Sequence, residues 1–117
     1  MEETVFDKII RKEIPADIVL ETDELIAFHD IHPLAPVHVL IIPKRRIETI
    51  DDLEDGDAGL AGRMIIAARD IARDLNISRK GYKLLFRVGH DGGQEIPHIH
   101  LHLIGGARLS EGIRPAK

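Results

Sequence analysis

Apolar positions change their spacing several times along the chain, and each change predicts an element. In "TVFDKIIRKEIP", Phe6, Ile9 and Ile10 fall on one helical stripe, with Thr4 placed to cap its start and Pro15 to stop it. A short N-terminal helix is expected. "DIVLE" and "ELIAFHD" are β-rich runs separated by the turn-like "TD", which reads as a hairpin. "HVLIIPK" is almost continuously apolar and closed by Pro43, as in a strand buried on both faces. "ETIDDLEDGD" holds six acidic residues in ten and reads as a solvated connector feeding a helix N-terminus. Over residues 57–75, Leu60, Met64, Ala67, Ile71 and Leu75 recur every three or four positions, which predicts one long amphipathic helix lying on a sheet. Finally "YKLLFRVG" and "HIHLHLIG" flank the glycine-containing loop "HDGGQEIP" and read as adjacent antiparallel strands. The class is α+β: a mainly antiparallel five-stranded sheet, one long amphipathic helix and a short N-terminal helix.

Composition narrows the function. The 117 residues fit one domain spanning 1–117, with a tail from about residue 107. With 44% hydrophobic and 31% charged residues the chain is ordinary globular material. It has no cysteine, so disulfides, thiolate ligands and thiol nucleophiles are excluded, and chemistry falls to histidines, carboxylates and hydroxyls. A net charge of −4 with dispersed Lys and Arg argues against nucleic acid as partner but leaves a small anionic ligand open. No apolar run reaches the roughly 18 residues of a membrane span, and the acidic start "MEETVFDKII" fits neither signal nor transit peptide. A cytoplasmic protein without a membrane partner is expected.

Three of the seven histidines, His98, His100 and His102, alternate with Ile99 and Leu101. On a strand they would form a row on one face, about 7 Å between successive members, with Ile99 and Leu101 beneath the long helix. A merely solvated face does not call for that pattern. Two chemistries use it. Two or three neutral imidazoles can hold a divalent metal, given a further ligand or water. Alternatively one imidazole attacks phosphorus while its neighbours manage protons and phosphate charge. "GHDGG" just before the row lets backbone N–H groups approach an anion, although such a loop is often only a turn.

The run His98-Ile99-His100-Leu101-His102-Leu103-Ile104 matches the alternating signature of the histidine triad superfamily. With its Gly105-Gly106 pair, "GGQEIPHIHLHLIGG" is similar to the Hint branch, the histidine triad nucleotide-binding proteins. "KIIRKEIPA", "AFHDIHPLAPVHVLIIPK" and "GYKLLFRVGHDGGQ" resemble that family's segments in the same order and spacing, so the resemblance covers the chain up to Gly106.

The resemblance implies a homodimeric hydrolase that cleaves the phosphorus–nitrogen bond of purine nucleoside 5′-phosphoramidates, using AMP- or GMP-type nucleotides and no metal or other cofactor. His100 would be the nucleophile, its Nδ1 proton accepted by the His98 backbone carbonyl. His102 and His98, with His38 behind the row, would donate to phosphoryl oxygens and move protons. Asp30 would accept the ribose hydroxyls. Phe6, Ile9, Ile14, Phe28 and Ile31 match positions that enclose the purine, and Gly93, Gln94, Glu95 and Arg87 fall in the phosphate region. Arg87 stands where the family usually has Asn, and Glu95 where some members have Ser. The long helix and "YKLLFRVG" are the implied dimer contacts. A non-catalytic nucleotide-binding module and a metal-binding histidine row are the competing readings.

Overall fold

The computed structural model describes residues 2–116. The expected span of 1–117 therefore includes two ends, Met1 and Lys117, that lie outside the described residues.

Five antiparallel strands form one sheet: β1 (Ile18–Glu21), β2 (Leu25–His29), β3 (Val37–Pro43), β4 (Tyr82–Leu85) and β5 (Leu101–Gly105), in the order β1-β2-β3-β5-β4. The continuous apolar character of β3 follows from its central place, since Val39 through Pro43 are buried between two neighbours and under cover on both faces. Alternation divides its side chains. Val39 and Ile41, with Leu25, Ala27, Leu101 and Leu103 of the adjoining strands, face the helix α2 (Ala58–Asp74). Leu40 and Ile42, with Ile26 and Phe28, face Phe6 and Ile9 of α1 (Val5–Ile10). The sheet is thus sandwiched between a long helix and a short one.

Helix α2 buries Leu60, Met64, Ala67, Ala68, Ile71 and Ala72, the stripe that its sequence spacing predicts, within one residue of the expected ends. The acidic stretch before it forms two short 3-10 turns, 50–52 and 55–57, the first carrying a Thr49–Asp52 capping box. At α1, Thr4 accepts from the backbone N–H groups of Phe6 and Asp7, and Asp7 returns the bond to the Thr4 N–H. Pro15 is not what ends this helix. Lys12 takes a left-handed conformation at φ 63°, and the N–H groups of Lys12 and Glu13 turn back to Ile9 and Lys8.

The last two strands are shorter than their apolar runs. β4 stops at Leu85, opposite His102, and β5 begins only at Leu101. His98 and His100 therefore precede the ladder: the His98 N–H goes to Ile96 O and the Ile99 N–H to Ile47 O, both at 2.8 Å. The extended alternation nevertheless persists, because Ile99 is buried on the α2 side while His98 and His100 face Phe6. Residues 107–116 carry no helix or strand, and Lys83 donates to the carbonyl of Ser110 there. Among the described residues no helix is long and apolar enough to cross a membrane.

Candidate active site

On the α1 side of the sheet a cleft of about 510 Å³ opens between α1, the end of β2, the loop after it and the glycine loop. That size lies in the usual range for small-molecule sites. Its walls include Phe6, Phe28, Asp30, Ile31, His38, Arg87, Gly93, Glu95, His100 and His102. His29 and His32, to which the sequence assigns no catalytic role, also line it, as do Val5, Ala16, Leu34, Leu40 and Ile96, which it does not single out as site residues. The 66% exposure of Leu34 marks it only once the fold is known, since an isolated apolar residue in a loop carries no period.

Several expected site residues lie elsewhere. Ile9 is buried and Ile14 packs against the same apolar cluster; neither reaches the wall. Gln94 is occupied by the backbone: its amide donates to Glu48 O (2.6 Å) and Ile96 O (2.9 Å), and its Oε1 accepts from the Gly89 N–H (3.0 Å). It braces the loop rather than facing a ligand. His98, expected to donate toward phosphoryl oxygens, is fully buried behind the wall. Its Nε2 lies 2.7 Å from Pro43 O, an acceptor only, so Nε2 carries the proton and spends it there.

What His98 does offer the cleft is its carbonyl. His100 Nδ1 lies 2.7 Å from His98 O, which places the His100 proton on Nδ1 and leaves Nε2 as a bare lone pair. Phe6 meets this ring edge-on at 5.1 Å. Burial above all lowers the pKa of His100, and nearby Arg87 pushes the same way, while the His98 carbonyl and Asp30 oppose. A neutral, oriented imidazole results.

Beside it the hydrogen-bond accounting does not balance. His38 Nδ1 accepts the Leu34 N–H at 3.1 Å, so its proton is on Nε2, 2.9 Å from His102 Nδ1. His102 Nδ1 must then accept, and its own proton sits on Nε2, where Arg87 Nη1, another donor, stands 3.1 Å away. Two donors face each other. Asp30 Oδ2, at 3.6 Å from His38 Nε2, is too far to take the surplus proton, and Asp30 Oδ1 accepts from the His32 N–H at 2.9 Å. An oxygen lone pair placed between His102 and Arg87 would satisfy both donors. Burial above all, with the neighbouring His100, Arg87 and His38 adding to it, pushes His102 down to about 3. Burial likewise lowers His38, against the pull of Asp30.

The glycine loop runs alongside Arg87. Gly93, at φ 80°, holds a backbone shape that other residues resist, and a Cβ there would sit 3.5 Å from Arg87 Cδ. At Gly92 a Cβ would stand 2.3 Å from Val88 O, so only glycine permits the turn. Among the described residues no three or more His, Asp and Glu side chains converge as a ligand set for a metal.

The HIT domain family model matches residues 11–109. The chain is 49% identical over 108 residues to the purine nucleoside phosphoramidase of Escherichia coli (strain K12), covering 92% of this chain and 91% of that one. In structure it is similar to a HIT family hydrolase from Legionella pneumophila Philadelphia 1, with a TM-score of 0.91 and 46% identity over 93% of this chain and 97% of the other. A HIT family hydrolase from Clostridium thermocellum is likewise similar, at TM-score 0.92 and 41% identity over 97% and 99%.

Proposed function

The chain belongs to the HIT domain family, and from that membership we propose that it is a purine nucleoside phosphoramidase, a hydrolase of the P–N bond in purine nucleoside 5′-phosphoramidates. The observation that carries this reading is His100: neutral, on the cleft wall, with Nδ1–H tied to a carbonyl and Nε2 free.

In the proposed reaction His100 Nε2 attacks phosphorus in line with the P–N bond. The leaving nitrogen takes a proton from solvent water at the side of the cleft that Glu95 lines, and departs as the amine. Water then cleaves the nucleotidyl-imidazole, releasing the 5′-monophosphate and returning His100. The His102 Nε2–H and the Arg87 guanidinium supply the phosphoryl oxygens with donors, and His38 fixes the His102 tautomer. Phe6, Phe28 and Ile31 form the apolar slot for an adenine or guanine base, and Asp30 is the acceptor for the ribose hydroxyls.

The chain is read as one domain with its tail from about residue 107, working as a homodimer in the cytoplasm. Support for the dimer comes from β4 at the sheet edge and from Ile65 and Ile66, 48% and 46% exposed on α2. The cysteine-free composition supports the compartment, and dispersed basic residues favour a small nucleotide over nucleic acid.

Turnover of a fluorogenic adenosine phosphoramidate, with and without chelator, tests the proposal. Wild type should release the amine in both conditions, and His100→Ala should bind AMP without turnover. Binding of AMP by wild type with no amine release would instead favour a non-catalytic nucleotide module.

A further inference from the structure

At the buried end of the histidine row the accounting fails in the opposite sense. His98 Nδ1 has no hydrogen-bond partner, although the ring is fully buried. Because Nε2 holds the proton for Pro43 O, Nδ1 presents a lone pair, and it points toward Asp7 Oδ1 at 4.0 Å. Two acceptors confront each other. The Asp7 carboxylate is itself held firmly: its Oδ2 accepts from the Thr4 N–H at 2.8 Å and from Arg46 Nη1 at 3.0 Å. Burial raises the Asp7 pKa, but the Thr4 bond and the Arg46 and Arg11 guanidinium groups, with His98 nearby, together hold it below the usual value. It is therefore ionised. Arg46 also donates to Glu2 O at 2.6 Å, while its Nε is buried without a partner.

These contacts enclose His98. The segment from Pro43 to Ile47 grips it twice, through Pro43 O on the ring and Ile47 O on the next N–H, and Arg46 runs from the same segment to Asp7. Asp7 sits beside Phe6 on α1, and Phe6 packs against both His98 (5.8 Å) and His100 (5.1 Å). A buried unpaired acceptor is costly, so its persistence beside a fixed carboxylate calls for a reason.

We propose that Asp7, fixed by Arg46, is a positioning residue for the reaction: its side chain closes the socket around the buried His98 ring and so, through His98, holds the carbonyl that orients His100. This rests on the phosphoramidase reading for its activity arm but not for its spectroscopic one. The carboxylate acts as the far wall of the His98 socket. Burial lowers the His98 pKa first of all, against the Pro43 bond and Asp7, so the ring is neutral in this arrangement. Neither Asp7 nor Arg46 faces the cleft, so neither touches substrate.

A helix-cap role is the rival account, and Thr4 separates the two. Thr4→Ala removes the side-chain cap of α1 while leaving the Thr4 N–H that binds Asp7. Asp7→Ala, in the full chain, should lower kcat on the adenosine phosphoramidate about tenfold with KM nearly unchanged, as a small misplacement of the nucleophile does. Thr4→Ala should lose comparable thermal stability and keep its kcat. Asp7→Asn, whose amide can donate to His98 Nδ1, should recover most of the rate. Independently of turnover, nitrogen-edited NMR should show the His100 Nδ1 proton sharp in wild type and Thr4→Ala and broadened in Asp7→Ala. Equal kcat in Thr4→Ala and Asp7→Ala, or the same sharp Nδ1 signal in all three proteins, overturns the proposal. A wild type with no turnover refutes the phosphoramidase reading instead, and the NMR comparison still decides this one.

Discussion

Replacing Arg87 by Asn removes the fixed cation from the mismatched pair with His102 and restores the residue usual in the family the sequence resembles. A hydrogen bond to a charged group contributes about 1.5–3 kcal/mol, and 1.4 kcal/mol is tenfold in affinity. AMP binding should therefore weaken about 10- to 100-fold. Two features of the site push toward the upper end. In the free protein Arg87 Nη1 faces the His102 Nε2 proton at 3.1 Å, a repulsion that a phosphoryl oxygen relieves on binding. In the variant, the Asn carbonyl can accept that proton and stabilise the empty site. Wild-type affinity should also fall more steeply with salt than that of the variant, since the permanent charge is gone. The pH profile provides a second readout. Arg87 lowers the pKa of His38, His100 and His102, so its removal raises all three. Since the proposed attack by His100 requires a neutral ring, the acid limb of kcat/KM should move to higher pH in Arg87→Asn. Calorimetric titration with AMP at low and high salt, beside pH–rate profiles, is the assay. Indistinguishable affinities at both salts, together with an unmoved acid limb, would refute the phosphate role.

Two further outcomes follow from the same geometry. His102 titrates near 3 when folded against 6.5 otherwise, so the unfolded chain takes up its proton first and stability, full above about pH 6.5, is lost as pH falls. The slope is about 1.4 kcal/mol per pH unit for one such group, giving roughly 2 kcal/mol between pH 6.5 and 5, above the main carboxylate range; a urea midpoint that stays flat over that interval would contradict it. Asp30→Asn should weaken AMP about tenfold while barely changing 2′,3′-dideoxy-AMP, because a charged acceptor for the vicinal diol is lost; equal losses for both ligands would remove Asp30 from ribose recognition.

The elements with strong periods were legible in the sequence. The α2 stripe and the buried β3 run report burial directly, so Leu60 to Ile71 and Val39 to Ile42 fall where their spacing puts them. The histidine row kept its alternation even where the ladder failed, because an extended backbone alternates with or without strand pairing. Less was legible where direction, rather than period, decides. Arg87 lies just past β4, and only the pairing of Leu85 with His102 shows that its side chain reaches the third histidine. Gln94 resembled a ligand-facing residue but serves backbone groups at Glu48, Gly89 and Ile96, contacts with no sequence signature. Asp7 and Arg46 meet across 39 positions through a loop, and the capping box at Thr4 gives no hint of the histidine behind it.

The pair His38 and His102 stands on β3 and β5, two of the three strands with a neighbour on each side. Edge strands fray first, and any chain that docks by extending the sheet must add at β1 or β4. His38 is separated from the β1 border by the whole of β2, whereas His102 faces Leu85, the last residue of the edge strand β4. Heat or denaturant should therefore reach the two imidazoles unequally: fraying of the β4 end exposes His102 while His38 is still held within the sheet.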